Sequence, residues 1–149
     1  MKKFVTAKLH GIHVTEADLE YHGSITLDPD HCEAAGILPM EFVDIWNKQS
    51  GARISTYVIY GTRGKRQCIL NGAAARTCQV GDQLIICTNE LRPAEDVTEI
   101  APKVLTFTRN NEVDEVLTYS ADRDAQGRLT FSILKDETPQ QIPYRAKAV

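Results

Sequence analysis

Residues 21–26, Tyr-His-Gly-Ser-Ile-Thr, lie between two runs that both read as β-strand. Glycine weakens a strand interior, because it packs no side chain and loses the most backbone entropy on folding. Two readings follow. Gly23–Ser24 is a bulge or tight bend, as nearly all Gly-Ser pairs are, or the bond between the two residues is itself the chemical feature.

Outward from this point the chain reads as short strands. KFVTAKL (3–9) alternates weakly between apolar and polar, and GIHVTEADLEY (11–21) continues as a second extended piece or a short turn. SITL (24–27) is a short β-branched strand. A helix is predicted over Pro29–Ala35, with Asp28 as N-cap, Pro29 at the first helical position and Gly36 as C-terminal cap. EFVDIWN (41–47) and ARISTYVIY (52–60) flank KQSG and predict a hairpin. QCILN (67–71), VGDQLIICT (80–88) and PKVLTFT (102–108) add strands, and GAAAR (72–76) is small enough to start a helical turn. There is no strand–helix–strand rhythm. The pattern predicts a mainly β fold, a small barrel with one or two short helices.

Past residue 110 the chain is more polar. EVLTYS and RLTFSIL read as a hairpin across ADRDAQG, and KDETPQQIPYRAKAV reads as a flexible end. The expected organisation is therefore one barrel domain over 1–110 and a C-terminal extension over 111–149.

With 149 residues, 42% hydrophobic and 25% charged, the chain has the balance of a single globular domain. A net charge of −3 without a basic run argues against a nucleic-acid partner. The start, MKKFVTAKLHGIHV, is broken by Lys8 and His10 and is neither signal peptide nor membrane span, which predicts a soluble cytoplasmic protein without a membrane partner. Cys32, Cys68, Cys78 and Cys87 form no CxxC pair, and reduced, mostly buried thiols are expected. Strand alternation puts His10 and His13 on opposite faces, so no metal site is predicted.

Four segments carry a wider resemblance: AKLHGIHVTEADLEYHGSITLD (7–28), AAGILPMEFVDIWN (34–47), GARISTYVIYGTRG (51–64) and LNGAAARTCQVGDQLII (70–86). In order and spacing the chain resembles the pyruvoyl-dependent aspartate 1-decarboxylases over about two-thirds of its length. The resemblance implies a double-psi β-barrel in a homotetramer with sites between subunits. It implies self-cleavage between Gly23 and Ser24, Ser24 becoming a covalent pyruvoyl group that forms a Schiff base with the substrate amine, with no metal and no dissociable cofactor. The reaction implied is L-aspartate to β-alanine and carbon dioxide, for pantothenate and coenzyme A synthesis. By position, Lys8 and Arg53 bind substrate carboxylates, Tyr57 returns the proton, Thr56 assists cleavage at the Gly23 carbonyl and Asn71 orients the substrate. Gly72, Ala73, Ala74 and Ala75 let backbone N–H groups approach the ligand, and His10 lines the pocket.

Read without the resemblance, Lys8 and Arg53 are solvated cations, Tyr57 is a half-buried strand residue, Gly72–Ala75 is a tightly packed turn, and Trp46 belongs to the core or a subunit interface. Alternation places Thr56 and Tyr57 on opposite faces. His22 stands before Gly23 where many family members carry glutamate. Two other functions fit the same residues: the same chemistry on another acid such as glutamate, and an unprocessed barrel used as a binding or regulatory module. The sequence leaves open a maturation partner and the role of the extension.

Overall fold

The computed structural model describes residues 1–135. The predicted flexible end lies almost wholly outside the described residues. The chain is mainly β, as the short β-branched runs predict. The strands are β1 (Lys2–His13), β2 (Glu16–Asp18), β3 (Ile25–Leu27), β4 (Phe42–Asn47), β5 (Arg53–Tyr60), β6 (Cys68–Asn71), β7 (Gln83–Arg92), β8 (Lys103–Phe107), β9 (Val113–Arg123) and β10 (Leu129–Lys135). One α-helix, α1 (Pro29–Ala35), and two 3-10 turns, Gly72–Thr77 and Ala94–Thr98, complete the described elements.

The strands form one mixed sheet in the order β10-β9-β8-β1-β7-β4-β5-β3-β6-β2. Its two edges, β10 and β2, do not pair with each other. The chain itself bends the sheet round. β2 follows β1 after Val14 and Thr15; Val14 donates its N–H to Asp82 O at 2.8 Å, and Thr15 donates its own to Cys68 O at 2.8 Å. Within a few residues the backbone thus passes from the β7 side to the β6 side. The result is a barrel-like sheet curled about one core, in which Leu9, Ile25, Val58, Leu70, Ile86 and Leu105 are 0% exposed. Burial of such side chains is the main favourable term in folding.

The helix has the predicted bounds. The Asp28 carboxylate accepts the N–H of Asp30 at 2.9 Å, and Gly36 closes the other end at φ 84°. The same carboxylate accepts the N–H groups of Gly64 at 3.2 Å and Arg66 at 2.7 Å, so one buried side chain pins the helix start to the β5–β6 loop.

One expectation is corrected. Alternation along β1 breaks at Gly11, which has φ 80°, and the β1–β7 register shifts between His10 and Ile12. Leu9 and Ile12 are both buried, so His10 and His13 fall on the same, outer side of the strand. A bulge inserts one residue and reverses the parity after it. Among the described residues no group of three His, Cys, Asp or Glu is placed to hold a metal ion, and no helix is long and apolar enough to cross a membrane.

Burial alone would raise the Asp28 pKa, but the three backbone N–H donors, with His31 nearby, outweigh it and hold it below the ordinary carboxylate value. A depressed folded pKa stabilises above the unfolded value, and that stability is lost as pH falls through the folded one. Asp28→Asn should therefore lose about 1–3 kcal/mol near neutral pH, and the gap to wild type should close below about pH 4. Urea titrations at both pH values test this; a gap independent of pH would refute the role of the charge.

Candidate functional site

Ser24 is one of four non-glycine residues with positive φ among the described residues, and its φ is the largest of the four. It is 3% exposed and holds φ 85°, directly after Gly23 at φ 93°. A left-handed conformation is ordinary for glycine, but for a buried serine it costs about 1–3 kcal/mol and must be held by its surroundings. Two contacts hold it. Asn71, at the end of β6, donates its N–H to Ser24 O at 3.0 Å. Its side-chain Nδ2 donates to Ser24 Oγ at 3.3 Å and to Thr26 Oγ1 at 2.9 Å. The amide is 3% exposed, so these bonds form away from water and fix the serine hydroxyl.

The next residue closes the clamp. A Cβ on Gly72 would lie 2.9 Å from both Cα and N of Gly23 and 3.1 Å from Tyr21 O, and Gly72 itself has φ 61°. No other residue type fits there without displacing the Gly23 backbone. By contrast a Cβ on Gly23 would meet nothing within 4 Å, so Gly23 is required for its φ and not for space.

Beside this clamp lies a cavity of about 380 Å³, lined by Gly23, Ser24, Thr56, Asn71, Ala73 and Ala74, with Ile54, Ser55 and Thr77 completing the wall. Ala75 does not line it. Ile54 and Thr77 were not singled out in the sequence. Ile54 stands two positions before Thr56 on β5, so the period of two places both on one face and was the available signal.

The β4–β5 ladder has no bulge: Val43 pairs with Thr56 and Ile45 with Ile54, while Trp46 pairs with Arg53 and Phe42 with Tyr57. Thr56 therefore shares the inner face with buried Val43 and Ile45, and Arg53 and Tyr57 point outward, as alternation predicts. The Arg53 guanidinium sits 4.8 Å over the Trp46 ring. The Tyr57 and Phe42 rings are 5.9 Å apart. Trp46 is thus a half-buried residue of the outer face and not of the core.

Lys8, between buried Ala7 and Leu9, also points outward. It lines a second cleft of about 340 Å³ with Asp44, Trp46, Cys87, Asn89 and Tyr119. The two cavities have no lining residue in common. One chain brings together Gly23, Ser24, Thr56, Asn71, Ala73 and Ala74. It does not bring Lys8, Arg53 or Tyr57 to Ser24. His10 is half-buried; burial, with Lys8 and Lys48 nearby, holds its imidazole below the ordinary pKa, and its Nδ1 has no hydrogen-bond partner among the described residues.

Residues 1–114 match the sequence model of the family described as Aspartate decarboxylase. The chain belongs to that family. An Aspartate 1-decarboxylase of Beijerinckia indica subsp. indica is 62% identical over 148 residues, 99% of this chain and 98% of that protein. The Aspartate 1-decarboxylase 2 of Mesorhizobium japonicum is 64% identical over 142 residues, 95% of this chain and 94% of its own. A third relative, from Xanthobacter autotrophicus, is 58% identical over 151 aligned positions covering 99% of each chain. The family model stops at residue 114, whereas the relatives align through the extension.

Gly72→Ala should drive Gly23 out of place and lower stability by about 1–3 kcal/mol. Urea unfolding of the variant measures this, and an unchanged midpoint would show that the contact yields without cost.

Proposed function

We propose that the chain is a self-processing, pyruvoyl-dependent decarboxylase of the cytoplasm that converts L-aspartate to β-alanine and carbon dioxide, for pantothenate and coenzyme A synthesis. The observation that carries this reading is the buried Ser24 at φ 85°, its hydroxyl held by Asn71, in a chain of the aspartate decarboxylase family.

The processing steps draw on groups of this chain. Ser24 Oγ attacks the Gly23 carbonyl carbon, and the C–N bond breaks as the C–O bond forms, turning the amide into an ester. Thr56 donates to the carbonyl oxygen as it gains charge. Loss of the Cα proton of residue 24 expels the Gly23 carboxylate, and water then replaces the nitrogen of residue 24, which leaves as ammonia. The strain at Gly23–Ser24 favours the first step, since a bond held in a costly conformation loses less on rearrangement. The residues present fit the group: Ser24 supplies its atoms, and Thr56, Asn71, Ala73 and Ala74 surround it in one cavity.

The pyruvoyl carbonyl supplies an electron sink for the pair left by the departing carboxylate. Lys8 and Arg53 hold substrate carboxylates, lysine as a point charge and arginine as a two-pronged donor. Tyr57 supplies the proton that replaces the carboxylate. Asn71 orients the bound acid, and the backbone of Ala73 and Ala74, which line the cavity, comes close because those residues are small. His10 stands two positions after Lys8 on β1 but lines neither of the two cavities, so it is given no role in the pocket.

These groups stand on two faces of one chain, so the working site combines the Ser24 cavity of one subunit with the outer face of another, in a homotetramer. Exposed apolar side chains flank both halves. Leu19 and Tyr21, each 50% exposed, precede Ser24, while Met40 at 76% and Phe42 at 66% adjoin Tyr57. Such surfaces favour association with a second copy.

Two tests follow. Ser24→Ala should fold, remain one uncut chain and decarboxylate no aspartate; activity like wild type would overturn the reading. Co-expressed Ser24→Ala and Lys8→Ala chains should regain activity that neither shows alone, because mixed assemblies pair an intact Ser24 with an intact Lys8; no gain would argue for a site within one chain. Wild-type turnover of aspartate should exceed that of glutamate by about tenfold or more.

A further inference from the structure

The C-terminal hairpin lies mostly past the end of the family model, yet it is built onto the strand that carries Lys8. β8 pairs in parallel with β1, Val104 beside Lys8, and β9 pairs with β8, Leu117 beside Val104. Leu117 is 5% exposed, and Lys103 Nζ donates to Thr118 Oγ1 at 3.0 Å. The hairpin is therefore packed against the sheet and not loosely appended.

The hairpin residue in the lining of the Lys8 cleft is Tyr119. The backbone N–H donates to Pro102 O at 3.0 Å, and the ring meets Phe131 of β10 edge to face at 5.6 Å. Tyr119 lines the Lys8 cleft, and together with Val5 it also lines an adjacent apolar recess of about 140 Å³. Tyr119 and Val5 are thus shared by the walls of the two. On the opposite side of the cleft, Asp44 is engaged by Lys3 at 3.6 Å and Asn89 at 3.2 Å. Lys8 has no carboxylate within ion-pair distance among the described residues, so its charge is available to a ligand.

We propose that the hairpin forms part of the substrate site, with Tyr119, supported by Phe131, as a positioning residue that holds Lys8 toward a substrate carboxylate. The proposal rests on the reading of Lys8 as a carboxylate-binding group. The physical reason is the lysine stem. Four rotatable methylenes leave the ammonium free to wander, and binding must then immobilise it. A rigid aromatic wall removes part of that freedom beforehand and excludes water from one side, which strengthens the charge interaction.

The test uses succinate, a dicarboxylate without a reacting amine, titrated calorimetrically into the full-length processed protein. Tyr119→Ala should weaken succinate binding about tenfold with the cut fraction unchanged, and Tyr119→Phe should bind like wild type. The double variant with Lys8→Ala should bind no more weakly than Lys8→Ala alone, because Tyr119 acts through Lys8. Unchanged affinity in Tyr119→Ala, or effects that multiply in the double variant, would overturn the proposal. Should Tyr119→Ala fail to fold, Phe131→Ala, on an exposed ring, is read by the same criteria. Wild type that is cut and active while Tyr119→Ala binds normally refutes the hairpin's role alone. Wild type that neither decarboxylates aspartate nor binds succinate refutes the reading of Lys8 with it.

Discussion

The site depends on a clamp of two residues, Asn71 and Gly72, around one peptide bond. Asn71 holds the Ser24 carbonyl and hydroxyl, and Gly72 brings its backbone so close to Gly23 that no side chain fits between. A buried serine does not take φ 85° unless its neighbours impose it. What imposes it here is the end of β6, delivered beside β3 by antiparallel pairing of Ile25 with Leu70. Stability in the barrel is thus spent on holding one bond in a conformation it would not otherwise adopt.

The two faces of β5 divide the remaining labour. Because the β4–β5 ladder runs without a bulge, Thr56 joins the Ser24 cavity and its neighbour Tyr57 does not. A single strand wall thereby presents Thr56 inward to the Ser24 cavity and Arg53 and Tyr57 outward. Adjacent residues can serve one reaction only if the outward groups meet another molecule's inward ones. The subunit arrangement we propose follows from this alternation more than from any single contact.

Much of this was legible in the sequence because local rules governed it. The cap residues Asp28, Pro29 and Gly36 bound the helix correctly, and the β4–β5 and β9–β10 hairpins form where Gly-containing loops separate β-branched runs. The faces of Thr56 and Tyr57 followed from the period of two. Other features required the third dimension. The reversal at Gly11 that puts His10 and His13 on one side is a register event between β1 and β7, set by pairing with a strand some seventy residues away. The need for glycine at 72 comes from the backbone of Gly23, and nothing local to GAAA distinguishes a tight turn from a clamp. The integration of the hairpin into the β1 side of the sheet was likewise invisible, since EVLTYS reads the same whether its strand hangs free or pairs with β8.

The most direct measurement is the mass of the purified protein under denaturing conditions. A clamp that exists to break the Gly23–Ser24 bond predicts two chains divided between residues 23 and 24, the larger with a pyruvoyl group in place of a free amino terminus. One intact chain of 149 residues, still uncut after prolonged warming, would contradict self-processing and leave the strain at Ser24 without its proposed purpose.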